Sequence, residues 1–266
     1  MAAKKTPSRS EAKSKVDPAK LRPHAPRLDG KVAVVTGGSS GIGFAIARAL
    51  AAVNCHVVIT GRDEKKLGAA ALRISSSTHQ NPTLVVPKVC DVRDPRAIDE
   101  LFVTVEAMFG HLDILVNNAG ISQPPTPLEQ TSLEMWREQI DTNLTGVFLC
   151  TRAALPLMKR GAIIINNLSA AAKQIFPNFY AYTAAKTGAL GFTLSLRAEL
   201  MPRGIRVMAL LPGATKTDIW QQIMPNAPYH HMMDAESVAQ VVLYAVLLPP
   251  NVNPSEISLD PAVGAV

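Results

Sequence analysis

The chain has 266 residues, 47% of them apolar and 18% charged, with a formal charge of +6 at pH 7. That balance excludes a disordered or coiled-coil protein, and the length allows a core that needs no metal or disulfide staple. Three isolated cysteines (Cys55, Cys90, Cys150) argue for a reducing, cytoplasmic setting and against a disulfide scaffold or thiolate metal site.

The charge is unevenly placed. Residues 1–29 carry eight basic side chains against Glu11, Asp17 and Asp29, a net +5, whereas 30–266 carries only +1. With four prolines and almost no large apolar residues, 1–29 is expected to be a disordered basic tail ahead of a single domain at 30–266. Basicity confined to a tail gives no support to a nucleic-acid-binding body, and the tail lacks the apolar stretch of a secretory signal. The longest plain apolar run, Val241 to Leu248, is far below the roughly 20 residues that span a bilayer, so no membrane partner is expected.

From Lys31 on, short β-branched runs alternate with longer helical stretches, the pattern of an α/β domain with a doubly wound, mostly parallel, seven-stranded sheet and helices on both faces. Strands are predicted at Lys31–Thr36, His56–Thr60, Leu84–Cys90, Asp113–Asn117, Ala162–Asn167, Ile205–Leu211 and Glu256–Leu259. They are apolar throughout, as strands covered on both faces must be. Helices are predicted at Gly43–Val53, Glu64–Ser75, Pro95–Phe109, Leu133–Lys159, Phe179–Met201 and Ala235–Leu248. Asp94 before Pro95 reads as an N-cap and first-turn pair, and Asp63 and Asp234 stand where caps belong.

Three segments carry chemistry. Thr36-Gly37-Gly38-Ser39-Ser40-Gly41-Ile42-Gly43 joins the first strand to the first helix, where a glycine turn lets backbone N–H groups approach a pyrophosphate. Asn117-Asn118-Ala119-Gly120 ends the fourth strand beside the expected crevice at the carboxyl ends of the strands. Tyr182 is the one tyrosine with a lysine four residues on, at Lys186, so both groups share a helix face and the ammonium is expected to lower the phenol's pKa. Ser169 directly follows the fifth strand, close enough in topology to meet them.

These segments resemble the main single-domain branch of the short-chain dehydrogenase/reductase family, and the resemblance covers roughly residues 30–266. Thr36 to Gly43 matches its TGxxxGxG element, Asn117 to Gly120 its NNAG element, and Ser169, Tyr182 and Lys186 its catalytic serine and YxxxK pair. Asn143 in Asp141-Thr-Asn143 matches the helix asparagine, Pro212-Gly213 with Thr217 the element after the sixth strand, and Asp91 the position that contacts the adenine.

The resemblance implies a Rossmann-type fold and hydride transfer between a nicotinamide and a small or medium carbonyl or alcohol. Tyr182 is then the acid/base, Ser169 the stabiliser of the substrate oxygen, Lys186 the tuner of the phenol and holder of the ribose, and Asn143 the anchor of a water relay. Gly37, Ser39, Ser40, Gly41, Ile42, Gly43, Arg62, Asp91, Asn118, Ala119, Gly120, Tyr182, Lys186, Pro212, Gly213 and Thr217 are the expected cofactor contacts. Gly61 stands where the family's NAD enzymes carry an acid, and Arg62 follows it, so NADP(H) is preferred over NAD(H). A homodimer or homotetramer is implied, paired through the two long helices. Ile219 to Met233 falls where the family places its substrate lid, made apolar by Trp220, Ile223, Met224, Tyr229 and Met232, while His230 and His231 are read as lid residues and no metal site is expected. Two other functions compete. One is 3-oxoacyl-carrier-protein reduction, against which the closing stretch Ser255 to Pro261 departs from the Gly-rich ending of those enzymes. The other is a non-catalytic NADP(H)-binding redox sensor or scaffold.

Overall fold

The computed structural model describes residues 28–77 and 85–263; the segment 1–27, on which the expected tail falls, lies outside them. The chain is already packed at Leu28, whose N–H donates to the Val53 carbonyl at 2.6 Å.

Seven strands form one sheet: β1 (Val32–Val35), β2 (His56–Gly61), β3 (Val85–Val89), β4 (Leu112–Asn117), β5 (Met158–Asn167), β6 (Arg206–Pro212) and β7 (Glu256–Leu259). Their order is β3-β2-β1-β4-β5-β6-β7, and every pairing is parallel. Between them run α1 (Gly41–Ala52), α2 (Glu64–Ser76), α3 (Pro95–Phe109), α4 (Leu133–Ile140), α5 (Gly146–Ala154), α6 (Tyr180–Leu200), α7 (Ile219–Ile223) and α8 (Ala235–Leu247).

The continuous apolar strands feed two cores. Ala33 and Val35 of β1 point into a cluster with α1, α2 and α8, while Val32 and Val34 point into a second with α3, α5 and α6. Each such fully buried Val or Ile contributes roughly 1.5–3 kcal/mol. β3 departs from the expected two-sided cover: it pairs only with β2, Val89 is 46% exposed, and Pro87 is tolerated because this is an edge.

Two other expectations fail locally. The long helix predicted for Leu133–Lys159 is three pieces, α4, a π-helical turn at Asp141–Thr145 and α5, and it ends near Pro156, so Met158 and Lys159 belong to β5. Proline removes a backbone donor and clashes with the preceding turn, which terminates the helix there. Asp234 stands at the start of α8 without capping it; its carboxylate takes an ion pair from Lys216 at 2.9 Å instead. Asp63 and Asp94 do cap, accepting from the N–H groups of Lys66 and Arg96.

The order of strands reverses between β1 and β4, which carry the chain to opposite sides of the sheet. In such sheets a crevice opens at the carboxyl ends of the strands at this point. A cleft of about 890 Å³ lies there.

Candidate active site

The glycine turn builds the floor of the cleft. Gly37 has φ 65° and Gly41 φ 55°, and a Cβ would lie 2.9 Å from Ala119 Cα and from Thr217 Cγ2, respectively, so both positions need glycine for conformation and for space. Ser40 occupies the N-cap of α1 without a side-chain cap bond, unlike the caps of α2, α3 and α4, and no acidic side chain sits in the first turn. The N–H groups of this helix end therefore keep their capacity and positive dipole for an anion. Asn118 straps the turn to the sheet: its Nδ2 donates to the carbonyls of Thr36 and Gly37 at 2.9 and 3.1 Å.

Gly37, Ser39, Ser40, Gly41, Ile42, Arg62, Asp91, Asn118, Ala119, Gly120, Pro212, Gly213 and Thr217 all line the cleft, as do Asn143, Ser169, Tyr182 and Lys186. Gly43 does not. A Cβ there would meet Asn118 Nδ2 and the Gly37 carbonyl, each at 2.3 Å, so this glycine lets α1 pack under the turn. At the β2 end, Gly61 is open enough that a Cβ would find Ser39 Oγ at 3.4 Å, an ordinary contact. Asp91 is held by Arg93, which donates to both its oxygens at 2.6–3.1 Å, and this keeps its carboxyl below the usual range.

The chemical groups converge from three elements. Ser169 follows β5 in extended backbone, and its Oγ accepts from the Ala171 N–H at 3.1 Å. Tyr182 and Lys186 lie one turn apart on α6, with the lysine Nζ 5.5 Å from the centre of the tyrosine ring. The buried Lys186 donates to the Asn167 carbonyl at 3.5 Å, and burial pushes its pKa down to about 8. The expected lowering of the phenol by this lysine is corrected: burial raises the Tyr182 pKa, and the opposing pull is a hydrogen bond with Ser169. Asn143 sits in the π-helical turn with its side chain buried, its Nδ2 donating to the Ile121 carbonyl at 2.9 Å and to Gln139 Oε1 at 2.9 Å.

Sequence reasoning missed Asn167, the last residue of β5, whose Nδ2 donates to Asn118 Oδ1 at 2.8 Å and whose carbonyl holds Lys186. Its position at the carboxyl end of a predicted strand beside the crevice was the available signal. Lys66, Phe176 and Phe179 also line the cleft without having been expected there. Of the anticipated lid, Trp220, Ile223 and Met224 face the cleft; Tyr229 and Met232 do not, and Met232 is buried. Among the described residues no cluster of histidine, cysteine and carboxylate side chains could hold a metal ion.

A family model for short chain dehydrogenases matches residues 31–228. The chain belongs to the short chain dehydrogenase family. Among its relatives, the farnesol dehydrogenase of Aedes aegypti is 35% identical over 242 residues, covering 88% of this chain and 97% of that protein. The 3-oxoacyl-[acyl-carrier-protein] reductase of Synechocystis is 39% identical over 198 residues, covering 74% of this dehydrogenase and 78% of that one. A metagenomic short-chain oxidoreductase solved in complex with NADP superposes with a TM-score of 0.76 at 32% identity, covering 89% of this chain and 99% of that chain. The fold is thus the Rossmann type of this family, and the chain is a short chain dehydrogenase with an oxidoreductase architecture.

Proposed function

We propose that this dehydrogenase is an NADP(H)-preferring enzyme that interconverts a carbonyl and an alcohol, with Tyr182, Ser169, Lys186 and Asn143 as its catalytic residues. The observation that carries the reading is the meeting of the Tyr182 phenol with the Ser169 hydroxyl and the buried Lys186 at the end of a cleft whose other end is a glycine turn on an uncapped helix.

The residues fit a dinucleotide phosphate. The α1 N–H groups and Ser39 and Ser40 offer donors for a pyrophosphate. Gly61 leaves the corner beside Ser39 open, and Arg62 supplies a planar cation where an acid would repel a 2′-phosphate. Lys66 adds a second cation on the same wall. When bound, the nicotinamide supplies the hydride for reduction and accepts it in oxidation.

Everything else falls to the chain. Ser169 Oγ, already fixed by the Ala171 N–H, keeps its own proton to donate to the substrate oxygen, where negative charge grows. Tyr182 gives the same oxygen its proton in reduction and removes it in oxidation. Burial keeps the phenol protonated in the free chain, and the adjacent Lys186, when charged, works against that shift by stabilising the phenolate left after proton transfer. Asn143 fixes Ile121 and the end of α4, holding the wall of a proton path to solvent.

The exposed faces of Trp136 on α4, Phe148 on α5 and Leu194 on α6 support assembly into a homodimer or homotetramer through these helices. Val147 of α5 and Leu190 and Leu196 of α6 are buried in the body. The three thiols are free and buried, in keeping with a cytoplasmic protein.

A panel of acetoacetyl thioesters, diketones and 3-hydroxy acids, followed by nicotinamide absorbance, tests the reading. Turnover with NADPH supports it. NADPH binding without turnover of any member would leave a cofactor-binding module, and a preference for thioesters would point to the activity named for the Synechocystis relative.

A further inference from the structure

The cleft is chemically divided. Its charged lining outside Lys186 and Asp218 comes from the β2–α2 corner (Arg62, Asp63, Lys66) and from Asp91 after β3, at the β3 edge of the sheet. On the opposite side, beyond Ser169, the lining from the β5–α6 and β6–α7 connections is dominated by apolar groups. Phe176 and Phe179 meet edge-on at 6.5 Å, and Phe179 meets the Tyr182 ring edge-on at 6.4 Å, so an aromatic file leads to the phenol. From the other connection, α7 contributes Trp220 and Ile223 to the same lining. The indole N–H is consumed by the Thr215 carbonyl at 2.9 Å, which leaves Trp220 only an apolar face to offer.

We infer that the substrate is an uncharged ketone or alcohol with a hydrocarbon arm, seated between Phe176 and Phe179 on one wall and Trp220 and Ile223 on the other, with Phe179 setting specificity. The inference rests on Tyr182 being the reacting acid/base. A carboxylate, sulfonate or phosphate on the arm would lose its water here without gaining a cation, since Arg62 and Lys66 lie at the far end and Lys186 is buried against the Asn167 carbonyl. Asp218, at the start of α7, adds repulsion against any anion entering on that side. Hydrocarbon burial in such a wall strengthens binding by about fourfold per methylene.

The test is ligand binding to the full chain saturated with NADP, read by Trp220 fluorescence in a Trp136→Phe background, with calorimetry on the unmodified chain as a second readout. The probes are 2-pentanone, 2-hexanone and 2-octanone, with 7-oxooctanoate as the charged partner of the last. Affinity is expected to rise about fourfold per added methylene, and the keto acid to bind about tenfold or more weaker than 2-octanone. Phe179→Ala should flatten the length dependence, while Phe179→Leu should restore most of it. Equal or tighter binding of 7-oxooctanoate, an absent length dependence, or no binding of neutral ketones would overturn the inference. The two readings fail separately. Ketones that bind in the expected order but oxidise no NADPH when it replaces NADP would sink the oxidoreductase reading alone, and NADPH-dependent turnover that favours the keto acid would sink only the apolar one.

Discussion

The Lys186 ammonium lies 5.5 Å from the centre of the Tyr182 ring, and burial, which removes its water, holds its pKa down to about 8. A lysine in the unfolded chain keeps its proton to about 10.4. Between those values the unfolded state binds more protons, so stability rises with pH through that window, and the cost of burying the charge is fully present below it.

The apo Lys186→Met variant is therefore expected to be more stable than the parent at pH 7, by about 3 kcal/mol at most. Its advantage should shrink from pH 8 to 10. The buried thiols, with Cys90 pushed up to about 11 and Cys55 and Cys150 also raised, titrate alike in both proteins and cancel in the difference. Urea unfolding at a series of pH values measures this; a pH-independent difference would remove the buried ammonium from the site's energetics.

Cofactor choice turns on Gly61 and Arg62. Because a Cβ at Gly61 meets nothing closer than 3.4 Å, aspartate fits there without strain. Gly61→Asp with Arg62→Ala is expected to reverse a preference of roughly tenfold to a hundredfold for NADPH, the scale of one charge-assisted contact. The ratio of kcat/KM for NADPH and NADH, with one substrate at moderate salt, checks it. Higher kcat/KM for NADH in the unmodified chain would contradict the assignment.

Arg206 governs stability away from the site. Buried at the base of β6, it donates to the carbonyls of Ala245, Val246, Leu248 and Val252 and so caps the C-terminal end of α8 from inside the fold. Arg206→Met should cost about 3 kcal/mol, the scale of emptying a buried, charge-assisted network. Thermal unfolding should fall by several degrees while the NADPH dissociation constant stays the same. A normal melting temperature would show that solvent replaces the guanidinium at no loss.

Assembly is measured by light scattering. A dimer or tetramer is expected at micromolar concentration, and Phe148→Glu with Leu194→Glu should yield the 28.4 kDa monomer. A monomeric parent would leave those exposed side chains without the proposed role.

Much of the fold was legible because apolar, β-branched runs and capping residues agree with the sheet: β7 and α3 match their predicted spans, and Asp63 and Asp94 cap where expected. Two features hid from the pattern. β5 opens on Met158-Lys159-Arg160-Gly161, where two exposed cations and a glycine at φ 94° mask the strand before its buried run from Ala162. The π-helical turn that presents Asn143 has the side-chain period of a helix and no composition of its own. In the site, spacing placed Ser169, Tyr182 and Lys186 together, but it carried no information on burial. The phenol's pKa therefore goes up, where an isolated tyrosine–lysine pair would bring it down. Phe176 and Phe179 belong to an irregular loop, whose course depends on packing against α6 and not on a local pattern.

Single-turnover oxidation of NADPH in the presence of a turned-over ketone, compared among the parent, Tyr182→Phe and Tyr180→Phe, reaches the chemistry most directly. Tyr180 is 42% exposed and outside the cleft, so it controls for losing a hydroxyl on the same helix. The expected result is a rate lowered about 10²-fold or more in Tyr182→Phe, the scale of lost general acid catalysis, with NADPH binding retained and Tyr180→Phe unaffected. Equal rates in the two variants would contradict Tyr182 as the proton donor.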